Sequence, residues 1–538
     1  MHYAKASSRF TAFALGISLF ISLASCGHPS NKLNNGAGTE TLRRGLRGEP
    51  TSLDPTGAPD GFSFQVLQDL YEGLTTASAT GSVLPGVASS WTVDSSGTQY
   101  TFDLRKDARW SNGTPVRAQD FVRAWQHVVD PKQGSPVADD LRLIAGAGAI
   151  ITGQLPPSAL GIYARDDTHL IVKLEHPAAY LPQLLSHSST FPIYSDASAK
   201  ARNPENWISN GPYILDSWQP GTKIEIRKNS FYWDNANVHI PRVEYQFVSD
   251  ETSQFARYRS GDLDLTDTVP ANAIPMLGKD HRMELVIAPY LGTVYYGLNL
   301  SASAIAGNLN LRKALAMAID RAQLTQMLGF DQAPAFGFLP PDIWNYTSQR
   351  WQWKDLPDAD RIAEAKRLYA QSGLATNSPI HLRVLFNSNP VIRKTAVVIA
   401  SMWKETFGIE TELDDEEFRV FLRTVQDKSR WEIARLGWTA DFNDASSFLN
   451  VFRNGSASNY VGYSNAAFDS LLDEAASTPD PQRRRSTLEA AERLLLDDYA
   501  IIPIYYLVSK RLVKPYIQGV KPDLMDQVPS KALTILAH

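Results

Sequence analysis

The sequence predicts a mixed α/β protein, in either α/β or α+β order, on three observations. Short runs with strand character recur along the chain, at Thr41 to Arg47, Tyr100 to Leu104, Tyr213 to Trp218, His381 to Phe386, Ile433 to Trp438 and Ile501 to Tyr506. Stretches with apolar residues at helical spacing lie between them and dominate the second half. A length of 538 residues with 43% hydrophobic and 20% charged residues supplies ample core for about two to four domains.

Taken in order, the first 26 residues are a separate material. His2, Lys5 and Arg9 form a short polar, positive start, and Phe10 to Ala24 is almost wholly apolar or small. That run is too short to span a bilayer comfortably and reads as the core of a signal peptide. It ends Leu23-Ala24-Ser25-Cys26, which resembles a bacterial lipobox; Cys26 is the only cysteine. The resemblance implies removal of residues 1–25 and lipidation of Cys26, hence export and a membrane anchor; the alternative is an ordinary secretory signal with an incidental cysteine. Residues 26–40, rich in Asn, Gly and Ser, read as a tether. A lone cysteine leaves no intrachain disulfide.

Beyond the tether, the strand at Thr41 is followed by a helix that Ser63 could cap, carrying Val66, Leu67, Leu70, Tyr71 and Leu74 on one face. Trp91 to Val93 and Tyr100 to Leu104 flank a turn at Asp94-Ser95-Ser96-Gly97, and Asn112-Gly113 marks another. Ala118 to Val129 is a helix with Phe121, Val122, Trp125 and Val128 inward. Asn210-Gly211-Pro212 is a turn before the Tyr213 strand. Helical periodicity then covers Leu311 to Leu328, Asp358 to Ser372 with Gly373 as its stop, Val391 to Phe407 and Pro481 to Tyr499.

The formal charge of −5 gives no basic footprint for nucleic acid. No H-E-x-x-H, C-x-x-C, G-x-x-x-x-G-K-[ST] or G-x-S-x-G pattern occurs, so the chain is read as a non-enzyme. The 10 His lack metal spacing, and Asp262 to Asp267 lacks the central Gly and final Glu of a calcium loop; neither a metal nor another cofactor is expected. Asp414-Asp415-Glu416-Glu417 reads as a solvated loop or helix start. The 12 Trp and 21 Tyr suit pockets that are part apolar and part wet.

The stretch Ala434 to Asn443 carries the most chemistry. It reads as an apolar strand with one cation, Arg435, near its start and one anion, Asp441, at its end. Six positions apart on a strand, the two point to one face with backbones ~20 Å apart. Their side chains reach inward, leaving about 10 Å, the span of an extended peptide of about three residues. A free peptide is a zwitterion: its ammonium suits Asp441 and its carboxylate suits the planar fork of Arg435. The alternative is structural, with Asp441 capping a following turn or helix and Arg435 paired to a neighbouring acid.

Several segments together resemble the family 5 extracellular solute-binding proteins, the oligopeptide, dipeptide and nickel binders of ABC importers. They are Leu84-Pro85-Gly86-Val87-Ala88-Ser89-Ser90-Trp91, Tyr100 to Gly113, Ser209-Asn210-Gly211-Pro212-Tyr213, Phe231-Tyr232-Trp233, Tyr258 to Asp264 and Arg511-Leu512-Val513-Lys514-Pro515. The resemblance runs from about Thr41 to the C-terminus and is nearest to the oligopeptide binders. It implies a two-lobed periplasmic-binding-protein-like fold (class II type) with an additional domain and the ligand in the interlobe cleft. Residues 41–61, 194–291 and 509–538 would form lobe I, 62–193 the extra domain and 292–508 lobe II. Asp441 would hold the peptide ammonium and Arg435 its carboxylate. Gly437, Trp438 and Thr439 would pair with the ligand as an added strand, with Glu49 to Ser52, including Thr51, on the opposite wall. The implied partners are short peptides, an ABC permease with its ATPases, and a membrane through the lipid anchor; a monomer is expected. Rival cargoes on the same fold are murein peptides, haem or nickel, and a secreted hydrolase is the rival from another class.

The chain also departs from the family's pattern. The disulfide of the oligopeptide binders matches Gly292 and Thr439 and is absent here. Two cationic anchors for longer peptides match Leu328 and Ile392, with Arg393 a candidate substitute. A cleft Tyr matches Leu507, with Tyr506 adjacent, and Arg117 stands where a helix-capping hydroxyl is usual. Retained Arg435 and lost distal anchors imply short peptides, tripeptides above all.

Overall fold

Three sheets carry the fold. The computed structural model describes residues 41–78, 80–194, 207–270, 273–277, 283–374 and 380–538. The expected signal peptide, Cys26 and the tether lie outside the described residues. Among those residues no helix is long and apolar enough to cross a membrane.

In the first sheet Thr41–Leu46 runs parallel to Arg242–Phe247, which pairs antiparallel with Lys223–Lys228 and then Tyr213–Gln219. Alternation sends Leu42, Ile224, Ile226, Val243 and Tyr245 inward. The second sheet, in order Ala88–Val93, Gln99–Leu104, His169–Lys173, Ile162–Asp166, is antiparallel throughout. Its expected turn is made by Asp94, whose carboxylate accepts from Thr98 N and Gln99 N, with Gly97 at φ 72°. The Ala118–Val129 helix covers this sheet with Phe121, Val122, Trp125 and Val128 buried, as its periodicity requires. Arg117 can replace a capping hydroxyl because Asp120 reaches back to Arg117 N–H at 2.9 Å. One continuous apolar core joins these first two sheets.

The third sheet has the order Glu410–Glu416, His381–Asn387, Ile433–Thr439, Leu285–Leu298, Ile501–Leu512. Separate cores fill its two faces. A buried carboxylate, Glu492, ties the Pro481–Asp497 helix to a loop by accepting from Phe338 N, Leu339 N, Gln349 N and the Tyr346 hydroxyl.

Four expectations need correction. Asp60, not Ser63, caps the first helix, which spans Gly61–Leu70 and leaves Tyr71 and Leu74 buried beyond its end. The single helix expected over Leu311 to Leu328 is two, Leu309–Ala318 and Arg321–Leu328, because the Asp320 side chain accepts from Gln323 N and starts a new helix there. Asp414 to Glu416 are not a loop but the end of an edge strand, where Arg393 and Arg430 pair with Asp415 and Glu416; only Glu417 begins a helix, as its cap. Ile501 to Tyr506 is half of a longer strand that continues to Leu512.

Candidate functional site

The Ile433–Thr439 strand is central in its sheet, yet half of one edge is open. Against Leu285–Leu298 it pairs over its whole length, from Leu298↔Ile433 to Gly292↔Thr439. On its other side it pairs with His381–Asn387 only at Val384↔Ile433 and Leu385↔Ala434. From Arg435 to Thr439 that side has no strand partner, and alternate backbone N–H and C=O groups there are available to an incoming strand. Leu436 points to the core, while Gly437 and Thr439 are exposed on the same face as Arg435. A Cβ built on Gly437 would meet only Thr293 O at 3.6 Å, so this face is open above the strand. Trp438 is fixed by its indole N–H donating to Ser447 O at 2.8 Å.

A hollow lies at each end of this open edge. Asp441 lines a cavity of about 260 Å³ with Phe64, Gln183, His187, Ser188, Tyr290, Asp523 and Gln527. Arg435 lines one of about 280 Å³ with Tyr290, Leu328, Ile392, Leu507 and Lys510. Tyr290 borders both and sits where the pairing of Leu285–Leu298 with Ile501–Leu512 shifts register, between Pro289 and Thr293. The anion and the cation six residues apart thus line two separate cavities that share Tyr290.

Neither charge makes an ion pair among the described residues, and Asp441 caps no helix. The turn after the strand is made by Asp444, whose carboxylate accepts from Ser446 N and its hydroxyl and pairs with buried Arg484 at 2.7 Å. The Asp441 backbone N–H donates to Ser447 Oγ, but its carboxylate caps no helix. Although open to cleft water, that carboxylate is walled by protein. Desolvation, followed by the like charge of Asp140, raises its pKa to about 6, and a bond from Ser447 opposes the rise. The Arg435 guanidinium makes no ion pair among the described residues.

Glu49 and Thr51 are placed differently from the strand residues. The Glu49 carboxylate accepts from the Trp218 indole N–H and from Gly221 N, both at 2.9 Å. The Thr51 hydroxyl donates to Asp60 at 2.5 Å. Their side chains are thus engaged within their own wall, which leaves only the backbone for a ligand. Arg393 pairs with Asp415 and does not line the Arg435 hollow, so it is no substitute anchor. Tyr506 turns its hydroxyl to Gly337 O at 3.2 Å. Gly292 and Thr439, the positions matching the family's disulfide, are direct cross-strand partners, and Leu507 closes against Gly292. Reading the sequence missed Gln183, Ser188, Asp523 and Lys510. Each lies far from Asp441 in the chain, and no spacing links them.

The two lobes, the cleft and its charged ends define a ligand-binding protein. The model of the bacterial extracellular solute-binding proteins, family 5, matches residues 82–460, and the chain belongs to that family. The periplasmic oligopeptide-binding protein OppA of Escherichia coli (strain K12) is 35% identical over 93% of each chain. The probable deoxycholate-binding periplasmic protein YgiS of the same organism is 34% identical, over 93% of this chain and 94% of its own. Among solved structures, Haemophilus influenzae OppA in complex with RPPGFSPFR superposes with a TM-score of 0.77 at 33% identity, covering 93% of this chain and 100% of that one.

Proposed function

We propose that this chain is the substrate-binding component of an ABC importer, capturing short oligopeptides in the cleft and delivering them to a membrane permease driven by ATPases. One observation carries the reading: the Arg435–Thr439 edge lacks a strand partner among the described residues and lies between the Asp441 carboxylate and the Arg435 guanidinium, neither of them in an ion pair there. A peptide pairs with that edge as an added strand while its ammonium meets Asp441 and its carboxylate Arg435. Relatives of nearly equal identity carry names for peptide and for deoxycholate binding, so identity alone does not choose between cargoes. A steroid acid has no ammonium for Asp441, and a metal chelate or haem needs neither the zwitterion's spacing nor an open strand edge.

The rest of the reading follows the family. Lobe I is 41–61 with 194–291 and 509–538, the extra domain 62–193 and lobe II 292–508, with the Leu285–Leu298 and Ile501–Leu512 strands running from one lobe into the other. The backbone of Glu49 to Ser52 contributes to the opposite wall, except for Pro50, which has no N–H. The mature protein is a monomer anchored in the cell envelope through lipidated Cys26, and it returns its ligand uncleaved.

Titration calorimetry with di- to pentapeptides tests the proposal. Trialanine is expected to bind, and Asp441→Ala to weaken it by ~2–5 kcal/mol, because a ligand ammonium is left without its counter-charge. Equal binding by the variant refutes the assignment of Asp441. Tripeptides are expected to bind best; best binding by pentapeptides refutes the length reading. Mass spectrometry of the recovered peptide distinguishes binding from cleavage.

A further inference from the structure

Leu328 and Phe330 are two residues apart and belong to different cores. Leu328, 7% exposed, ends the Arg321–Leu328 helix in the core on one face of the third sheet. Phe330, 4% exposed, is buried instead with Phe255, Tyr258, Leu263, Leu277 and Leu512. On the lobe division proposed above, Phe330 is the one fully buried member of that cluster, among the described residues, that comes from lobe II. The chain then returns at once. Ala333 O accepts from Tyr506 N at 2.9 Å and Ala335 N donates to Ile504 O at 3.0 Å, on the lobe II half of the Ile501–Leu512 strand. A loop anchored at both ends in one lobe thus inserts one ring into the other. The excursion needs unusual backbone: Gly329, Phe330 and Asp331 have φ of 75°, 60° and 52° in succession. Glycine takes this region freely, whereas an aromatic residue and an aspartate are strained in it. Such strain persists only where the surroundings over-determine it. Exposed Asp331 supplies no packing, so the restraint is the seat of Phe330, with the Lys510 ammonium 4.3 Å from its ring centroid.

Backbone strain and ring burial oppose each other here and are similar in size. The loop therefore has two states near balance: ring seated on a strained backbone, or ring withdrawn on a relaxed one. It also stands where movement between the lobes is felt. Leu328, Phe330 and Gln332 line the hollow of Arg435, with Arg47 and Glu251 of lobe I and Ile392 of lobe II. We propose that residues 329–332 are a strained strap across the hinge: Phe330 seated in lobe I holds the lobes together around the Arg435 hollow, and opening of the cleft withdraws it. This rests on the peptide-binding reading and its lobe division. A ligand that joins the lobes favours the seated state, and by linkage the seated state favours the ligand by the same factor.

The test is amide hydrogen exchange read by mass spectrometry, with calorimetry, on the full mature chain, free and saturated with trialanine. Exchange is followed in residues 329–333 and in the Glu251–Ser260 helix, whose Phe255 and Tyr258 form part of the seat. Trialanine is expected to slow both segments several-fold in the wild-type protein; exchange that trialanine leaves unchanged overturns the coupling. Asp331→Val puts a β-branched residue at an exposed left-handed position and leaves Phe330 intact. It is expected to speed exchange of both segments in the free protein about tenfold and to weaken trialanine by a similar factor, while saturating trialanine restores wild-type protection. That restoration separates a strap from damage to a loop, which a ligand does not repair. Asp331→Gly accepts the left-handed φ, so it is expected to exchange no faster than the wild-type protein and to bind at least as tightly; the reverse overturns the strain. Phe330→Ala is expected to lose protection in the Glu251–Ser260 helix that trialanine does not restore. Wild-type exchange and affinity in both Asp331→Val and Phe330→Ala, or faster exchange without weaker binding, overturns the strap while peptide binding stands. If no tripeptide binds the wild-type protein, the peptide-binding reading fails, and unchanged exchange in free Asp331→Val then overturns the strained seat by itself.

Discussion

At the scale of single residues, the Asp441 carboxylate takes a hydrogen bond from Ser447 and makes no ion pair among the described residues. Desolvation, with Asp140 nearby, raises its pKa to about 6. Its task in binding requires the ionised form, whereas a peptide ammonium loses its proton only near pH 8. Affinity for a neutral tripeptide is therefore expected to be highest near pH 7 and to fall roughly tenfold by pH 5, where about nine-tenths of Asp441 carries a proton. The free protein moves the opposite way. A carboxyl with a raised folded-state pKa favours folding below its unfolded value, and that contribution is lost as pH rises through about 6. Calorimetry and melting curves over the same pH series separate the two trends; an affinity flat between pH 5 and 7 excludes Asp441 as the ammonium acceptor. The pair Arg435 and Asp441 was legible in the sequence because both charges sit on one strand and its end, where spacing converts directly into geometry. Asp444, three residues on, was not separable from Asp441 as the turn-maker until Arg484 was seen beside it. Gln183, Ser188 and Asp523 were illegible for a different reason: they come from other chain segments and meet Asp441 only through tertiary packing.

At the scale of elements, period and punctuation decide what can be read. Ala118–Val129 was legible to the residue because its apolar face and both ends agree. Leu311 to Leu328 misled because apolar residues continue through Ile319 at helical spacing. The break comes from Asp320, whose carboxylate competes with helix continuation by accepting from Gln323 N at 2.9 Å. Ile319 is accordingly extended, at φ −81° and ψ 120°. Asp320→Ala removes the cap of Arg321–Leu328 and is expected to cost ~1 kcal/mol by urea denaturation, with unchanged peptide affinity. An unchanged unfolding midpoint shows instead that buried Arg321, bonded to Pro503 O and to Ala316 O, starts the helix without the cap. Charge misled at Asp414 to Glu416, where an acidic run forms an edge strand. Arg393 and Arg430 neutralise two of its members, and charged edges resist pairing with other chains. The open stretch Arg435–Thr439 has no comparable guard, which is consistent with an edge kept for a ligand strand.

At the scale of the whole molecule, the proposed function implies a cleft that closes around its ligand by a hinge, and its two walls already meet near Asp441. Tyr180, which follows the second sheet in the chain, stacks on Phe442 at 5.1 Å between ring centroids and 10° between planes. The Arg484 guanidinium lies 5.1 Å from the centre of the Tyr180 ring, and Asn443 donates to Gly81 O at 3.4 Å. Asp441 and Phe442 are neighbours, so this contact sits beside the ammonium end of the site: Tyr180 lines a cavity with Asp441 and Phe442, and Phe442 also lines the hollow that holds Asp441, Gln183 and Asp523. The stack therefore ties the two walls together beside Asp441. An aromatic pair is worth ~0.5–1.5 kcal/mol beyond its buried area, which is about a two- to tenfold change in the ratio of closed to open molecules. Ligand affinity is reduced by the same factor where the closed form is the minor one, since only the closed form encloses the peptide on both sides. Tyr180→Ala is thus expected to weaken all tripeptides about two- to tenfold and equally. Small-angle scattering of the free variant is expected to show a larger radius of gyration than the parent, and saturating peptide to bring both to the same compact value. Unequal loss among peptides makes Tyr180 part of the ligand pocket, and unchanged affinity removes the stack from the closing equilibrium.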